Sequence, residues 1–142
     1  MDPNITFEFA SMAAMTGWLA LAAVPLAPRP MLAIGGLAIP LALCALYAAA
    51  AATGLPGAPG GFGSLPAVMA LFTAPGAALA GRVHYLAFDL LVGGWQVRDA
   101  RERGVPHLAV LPCLFLTLML GPVGLLAYLA LRTILARRAV LA

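Results

Sequence analysis

Residues 84–95 read HYLAFDLLVGGW, and the fold turns on why His84 and Asp89 stand inside an otherwise apolar run. In water such a run would be an ordinary helix face. The composition argues against water: of 142 residues, 63% are hydrophobic and 9% charged, with a mean hydropathy of +1.01. Soluble domains average about 45–50% apolar and about 25% charged residues. Long apolar runs with few charges are the mark of transmembrane helices. The length leaves room for one compact membrane domain covering residues 1–142.

Working outward from 84–95, the apolar run extends over about residues 76–98, read as the third of four spans. The first covers about 5–27 and ends in the proline cluster Pro25, Pro28 and Pro30. It lacks the basic start of a signal peptide, since Asp2 and Glu8 are its only charges before Arg29. The second covers about 31–52, with Pro40 predicting a kink whose freed carbonyl a neighbouring helix must satisfy. A charge-free Gly/Pro loop follows, and Ser64 is placed to cap a short helix over about 65–72, too short to span. That piece is expected to be interfacial or re-entrant. Thr73 is placed to cap the third span, with Pro75 in its first turn. Gly104 stops that helix, Pro106 starts the next, and the fourth span covers about 107–131 with LGPVG as an internal flexure. The fold class predicted is all-α: an integral membrane bundle of four transmembrane helices with both termini on one face, which a weak charge bias puts outside.

All eight basic residues are Arg. With heavy Ala, Gly and Pro usage, this suggests a GC-rich bacterial genome and, for a membrane protein, the inner membrane. Arg98, Arg101, Arg103, Arg137 and Arg138 cluster beside apolar runs, so they read as topology signals and not as a nucleic-acid surface. Cys44 and Cys113 fall within spans, without C-x-x-C spacing, and read as small apolar residues; no metal site is expected. No zincin, P-loop, nucleophile-elbow or dinucleotide motif occurs, and no cofactor is specified.

An ionisable side chain within the bilayer is costly and usually faces a bundle interior or wet cavity. Helical spacing puts Arg82, Tyr85, Asp89, Gly93 and Gln96 on one stripe. Asp89 and Tyr85 are the acid/base candidates, Arg82 and Gln96 positioning groups, and Gly93 leaves room for a close helix or a bound ligand. His84 points about 140° away from Asp89, on a face shared with Phe88, Leu91 and Trp95, and stands as a second polar wall. The structural alternative is that Asp89 and His84 are interhelical glue. Glu8 and Arg82 are expected near one membrane face, either as an ion pair or with Glu8 at a cavity mouth. His107 starts the far end of the fourth span, beyond reach of His84. Asp99, Glu102 and His107 could gather at the far surface, but an Arg-rich connection is more often a solvated loop.

The segments HYLAFDL, RGVPH followed by PC, and GPVGLL resemble the neoxanthin-synthase-like family, small membrane proteins that take their family name from abscisic-acid deficiency in plants. The family pattern usually has Trp at the position of Arg82 and Arg at that of Gly94. The resemblance implies a carotenoid or other isoprenoid lipid as ligand, since plant members are implicated in converting violaxanthin to neoxanthin. That epoxide-to-allene isomerisation needs an acid at the epoxide oxygen and a base for a carbon-bound proton. Two functions remain open: an isomerase-type membrane enzyme or subunit, and a non-enzymatic pigment-binding or assembly protein. Partners are a membrane lipid or carotenoid, and either a second copy or a partner membrane enzyme.

Overall fold

The computed structural model describes the backbone of residues 2–141 and the side chains of residues 2–135. Arg137 and Arg138, read above as topology signals, have side chains outside the described residues. The described chain is all helix and connection, in six helices.

Helix α1 is Pro3–Ala22. The Asp2 carboxylate caps it, accepting from the amides of Asn4 (2.8 Å) and Ile5 (3.3 Å). It stops short of the expected Ala27, because Pro25 disfavours helical backbone at Val24. Helix α2 runs Pro28–Gly54 and is α-helical except for a π-helical segment, Ile34–Ala38. Pro40 has no N–H to give to the carbonyl one turn back. Arg98 supplies the missing donor, with Nη1 3.1 Å from the Gly36 oxygen. The kink therefore has the cross-helix partner that Pro40 requires. Replacing Arg98 with Met should cost about 1–3 kcal/mol through the stranded carbonyl. In a Pro40→Ala background, where a backbone N–H returns, the same change should cost less, by a coupling of about 1 kcal/mol. A double-mutant cycle of unfolding in detergent measures this, and full additivity would show that Arg98 acts elsewhere.

Ser64 caps α3, Leu65–Leu71, as the sequence predicts, accepting from Ala67 N at 3.3 Å. Thr73 does not cap the next helix. Its hydroxyl donates back to Ala70 O at 2.7 Å, and the N-cap position of α4, Pro75–Glu102, falls to Ala74. A bend of 103° separates α3 from α4. Helix α4 is the central element, and Leu90, Val97 and Val83 on it are fully buried. Helix α1 lies beside it in the same direction: Phe7 is at Arg82, and Trp18 is at Gly93. Helix α2 lies antiparallel to it at backbone contact. A Cβ on Gly94 would come 2.7 Å from Gly36 Cα, and one on Gly54 would come 2.6 Å from the Gly76 carbonyl carbon.

The expected fourth span does not form as one helix. Residues His107–Leu120 make α5, Gly121 takes φ +45°, and Pro122–Leu141 make α6. The two pack back to back, with Gly124 against the backbone and hydroxyl of Thr117. Along α4, Thr117 reaches Gln96, and Gly121 lies at Asp89. Then Tyr128 and Arg132 return to Asp99. The run reverses because Gly121 allows the left-handed turn, Pro122 starts a new helix, and Gly124 lets the two backbones touch. The LGPVG stretch is thus a hairpin turn, not a flexure.

Two helices, α1 and α2, are long and apolar enough to cross a membrane, and α3 with α4 form a bent pair that would make a third. Helix α5 has 14 residues, and Pro122–Leu135, the part of α6 whose side chains are described, is a second short apolar helix. A bundle of four spans is not confirmed by these helices. Among the described residues, the start of α1 and the Arg132 end of α6 lie at opposite ends of α4. Pro3 and Asn4 share a surface recess with Pro75 and Ala78, whereas Arg132 is at Asp99, about 30 Å further along α4 at 1.5 Å per residue.

Candidate functional site

Helix α4 carries every residue of the expected stripe, and its neighbours divide that stripe in two. In the half towards Glu102, Gln96 is completely buried, its Nε2 donating to Thr117 Oγ1 at 3.0 Å. Thr117 in turn donates to the Cys113 carbonyl at 2.8 Å. Gly93 is filled by the Trp18 ring, with a Cβ there meeting ring carbons at 2.7 Å. At Gly93 the neighbour is therefore a close helix, the first of the two readings of its spacing. In the other half, Arg82 is exposed and Tyr85 is 63% exposed. Asp89, half-buried, sits at the tip of the α5–α6 hairpin, its Oδ1 2.8 Å from where a Cβ on Gly121 would be. Its carboxylate has no hydrogen-bonding partner among the described residues. The stripe does not line one internal cavity, because the hairpin covers it only as far as Asp89.

The Glu8–Arg82 ion pair is absent. Glu8 is exposed, and no salt bridge joins it to Arg82 among the described residues. The Arg82 guanidinium instead lies 5.9 Å from the Phe7 ring centroid, a cation–π contact from the residue next to Glu8.

His84 is where aromatic side chains gather. Its ring stacks on Phe88, centroids 4.6 Å apart and planes 20° apart. Tyr47 of α2 meets its edge at 5.2 Å, and Tyr85 at 5.9 Å. Together Tyr47, Phe62, Phe72, Gly81, His84 and Tyr85 line a recess of about 180 Å³ between α2, α3 and α4. Gly81 matters here, since the Phe72 ring lies where a Cβ would stand. Phe88, exposed on its other side, also walls an open apolar groove of about 530 Å³ with Leu91, Val92, Trp95, Leu125 and Leu129. The face shared by His84, Phe88, Leu91 and Trp95 is therefore found as the helical spacing predicts. Tyr47 and Phe72 were not legible as site residues, because only tertiary packing brings α2 and α3 to His84.

The most connected polar group is one the sequence places in a solvated connection. Asp99 is buried and accepts from Tyr128 Oη at 2.5 Å, from Arg132 Nη1 at 3.1 Å and from Arg103 Nε at 2.9 Å. Arg132 also lies over Trp95, 5.9 Å from the ring centroid. In return, the Asp99 carboxylate makes the exposed Arg103 guanidinium hold its proton more firmly than usual, by hydrogen bond and by charge. The signal was present in the spacing of Tyr128 and Arg132, a polar i, i+4 pair on an apolar helix. Glu102 is exposed, as a solvated connection predicts, and His107 bonds through Nε2 to the Ala22 oxygen at 3.0 Å. Cys44 and Cys113 are free thiols, and no three His, Cys, Asp or Glu gather as a metal site among the described residues.

The fold and these apolar helices define a small all-α protein of membrane type. The chain belongs to the family described as ABA DEFICIENT 4-like (ABA4-like), which matches residues 5–128. That range takes in α1 to α5, the hairpin turn and Tyr128. No curated protein and no solved structure matches the chain.

Proposed function

We propose that this is an integral membrane protein, of a bacterial inner membrane, that binds or acts on a carotenoid or related isoprenoid lipid. In this reading α1, α2 and α4 cross the bilayer, and α5–α6 enter from the far face and return. The observation that carries the ligand reading is the aromatic recess at His84. It is apolar-walled and pre-formed, with an imidazole and two phenols as its polar groups, the pattern of a small-molecule site. A ring-bearing end group fits between Tyr47, Phe72 and His84, and the groove along Phe88 and Trp95 continues the apolar surface for a chain. Family membership supports the same ligand class by resemblance.

If the reaction is an epoxide isomerisation, the C–O bond breaks as a proton reaches oxygen, and a proton leaves carbon. Tyr85 or Tyr47 is placed to give the first and His84 to take the second. Asp89 sits outside the recess and is assigned a supporting role from the hairpin tip, with Arg82 nearer the surface. The second reading is a pigment-binding or assembly protein, alone or with a partner membrane enzyme, in which the same rings only hold the ligand. Pigment profiles of a strain lacking the gene separate the two. The enzyme reading expects one carotenoid to be lost and its precursor to accumulate. Wild-type protein should reverse this, and His84→Phe, which keeps an aromatic wall, should restore less than a tenth of the product. An unchanged profile in the deletion strain sinks the enzyme reading.

A further inference from the structure

We propose that the face of α4 beyond the hairpin tip, bearing Arg82, Tyr85 and Asp89, is a water-filled vestibule open at the N-terminal end of the helices and closed at Asp89. This rests on the membrane reading above. The α5–α6 hairpin covers α4 from Asp99 to Asp89 and then turns at Gly121. From Pro75 to Asp89 is about 21 Å of helix at 1.5 Å per residue, roughly half of α4; the start of α1 flanks this stretch at Arg82, and Phe62 with Phe72 flank it at Tyr85. Helix α1 packs on the Gly93 and Leu90 side, and α2 on the Gly94 side. A wholly apolar stretch there would suit lipid. This one carries a guanidinium, a phenol and a carboxylate in successive turns, with Tyr85 63% exposed. Charged groups turned to hydrocarbon are strongly disfavoured and are found instead on wet cavities. The lipid-suited surfaces of the same protein look different, with exposed Met12, Leu41 and Phe115.

Water fits both charges. Among the described residues Arg82 makes no hydrogen bond or ion pair, only its contact with the Phe7 ring face, and Asp89 has no partner to satisfy its oxygens. The vestibule lets Asp89 exchange protons with the aqueous phase. Tyr85 is at once its wall and a wall of the His84 recess, so a ligand seated there would have one wet side.

Cysteine accessibility in sealed vesicles of each orientation tests this. In a chain with Cys44 and Cys113 replaced by Ala, single variants Arg82→Cys, Tyr85→Cys and Asp89→Cys are compared with Met12→Cys, Leu41→Cys and Phe115→Cys. The probe is a charged, membrane-impermeant thiosulfonate. The expected result is labelling at 82 and 85 from one side only, that of the N-terminus, at least tenfold faster than at the three controls. Tyr85 is exposed, so its variant carries the test if Asp89→Cys fails to fold. Labelling at 82 alone, or at neither position, overturns the vestibule, and a disulfide-linked dimer of Tyr85→Cys would put a second copy there instead. Equal labelling of all positions, controls included, would show that the membrane reading itself has failed.

Discussion

Gly124→Ala is expected to destabilise the protein, although the same change in an exposed helix usually stabilises it by about 1 kcal/mol. The reversal of sign comes from Thr117. A Cβ on Gly124 would run into the Thr117 amide nitrogen, hydroxyl and Cα, and a backbone nitrogen cannot swing aside as a side chain can. Either α5 and α6 separate or the turn at Gly121 opens. Overpacking of this kind typically costs about 1–3 kcal/mol, and with backbone as the obstacle the upper part of that range applies. For a chain of this size each kcal/mol lowers the midpoint by roughly 2–4 °C, so a drop of about 4–10 °C is expected in a thermal scan in detergent. Topology gives a second readout. With the hairpin closed, reporters on the two termini should lie on opposite sides of the membrane. Gly124→Val, which widens the clash, should blur that assignment or admit protease into residues 117–124. A Gly124→Ala variant as stable as the wild type would mean that the two helices do not touch there.

The hairpin also shows what could be read from the sequence and what could not. Helix positions on α2 and α3 were legible because their punctuation is local: Ser64 caps, and Pro40 removes a donor. A Gly-Pro pair in an apolar run is consistent with both a kinked span and a reversal. The choice between them depends on Gly124 meeting Thr117, which is a tertiary contact. The stripe on α4 has the same history. Periodicity correctly gives the angle of Arg82, Tyr85, Asp89, Gly93 and Gln96 around the helix. It does not give the depth to which the neighbouring hairpin covers them, so residues on one face end in two environments. His84 shows the converse. Its face was read correctly, but its closest partners outside α4, Tyr47 and Phe72, come from other helices and carry no motif. Asp99 was misplaced because its neighbours Arg98, Arg101 and Arg103 look like a solvated charge run, whereas its burial is decided by Tyr128 and Arg132 about thirty residues away.

Asp99→Ala is the other change expected to have a large effect, because it takes the acceptor away from three donors together. Tyr128 is fully buried and would lose the only hydrogen-bond acceptor it has among the described residues. Arg132, with 27% of its side chain exposed, would keep a charge partly buried over Trp95 with no counterion. Removing one partner of a buried ion pair typically costs about 3–5 kcal/mol, and the partial exposure of Arg132 argues for the lower end. Tyr128→Phe removes one hydrogen bond to a charged group and should cost about 1.5–3 kcal/mol. Arg103→Ala should cost least of the three, since that side chain is 53% exposed and its pairing is screened by solvent. The order Asp99→Ala, Tyr128→Phe, Arg103→Ala is therefore the prediction, read from unfolding midpoints in detergent. Asp99→Asn should fall between the first two, since it keeps the shape and one acceptor for Tyr128 but gives Arg132 no charge. The consequence reaches the groove at Trp95. Arg132 and Tyr128 hold α6 against that ring, at 5.9 Å and 5.6 Å, so loosening Asp99 should also change the Trp95 fluorescence maximum. Trp18, packed at Gly93, supplies the constant background in the same spectrum. If Arg103→Ala proves as costly as Asp99→Ala, the carboxylate is tied to its own helix end and not to α6, and the hairpin must be held by Thr117 and Gln96 alone.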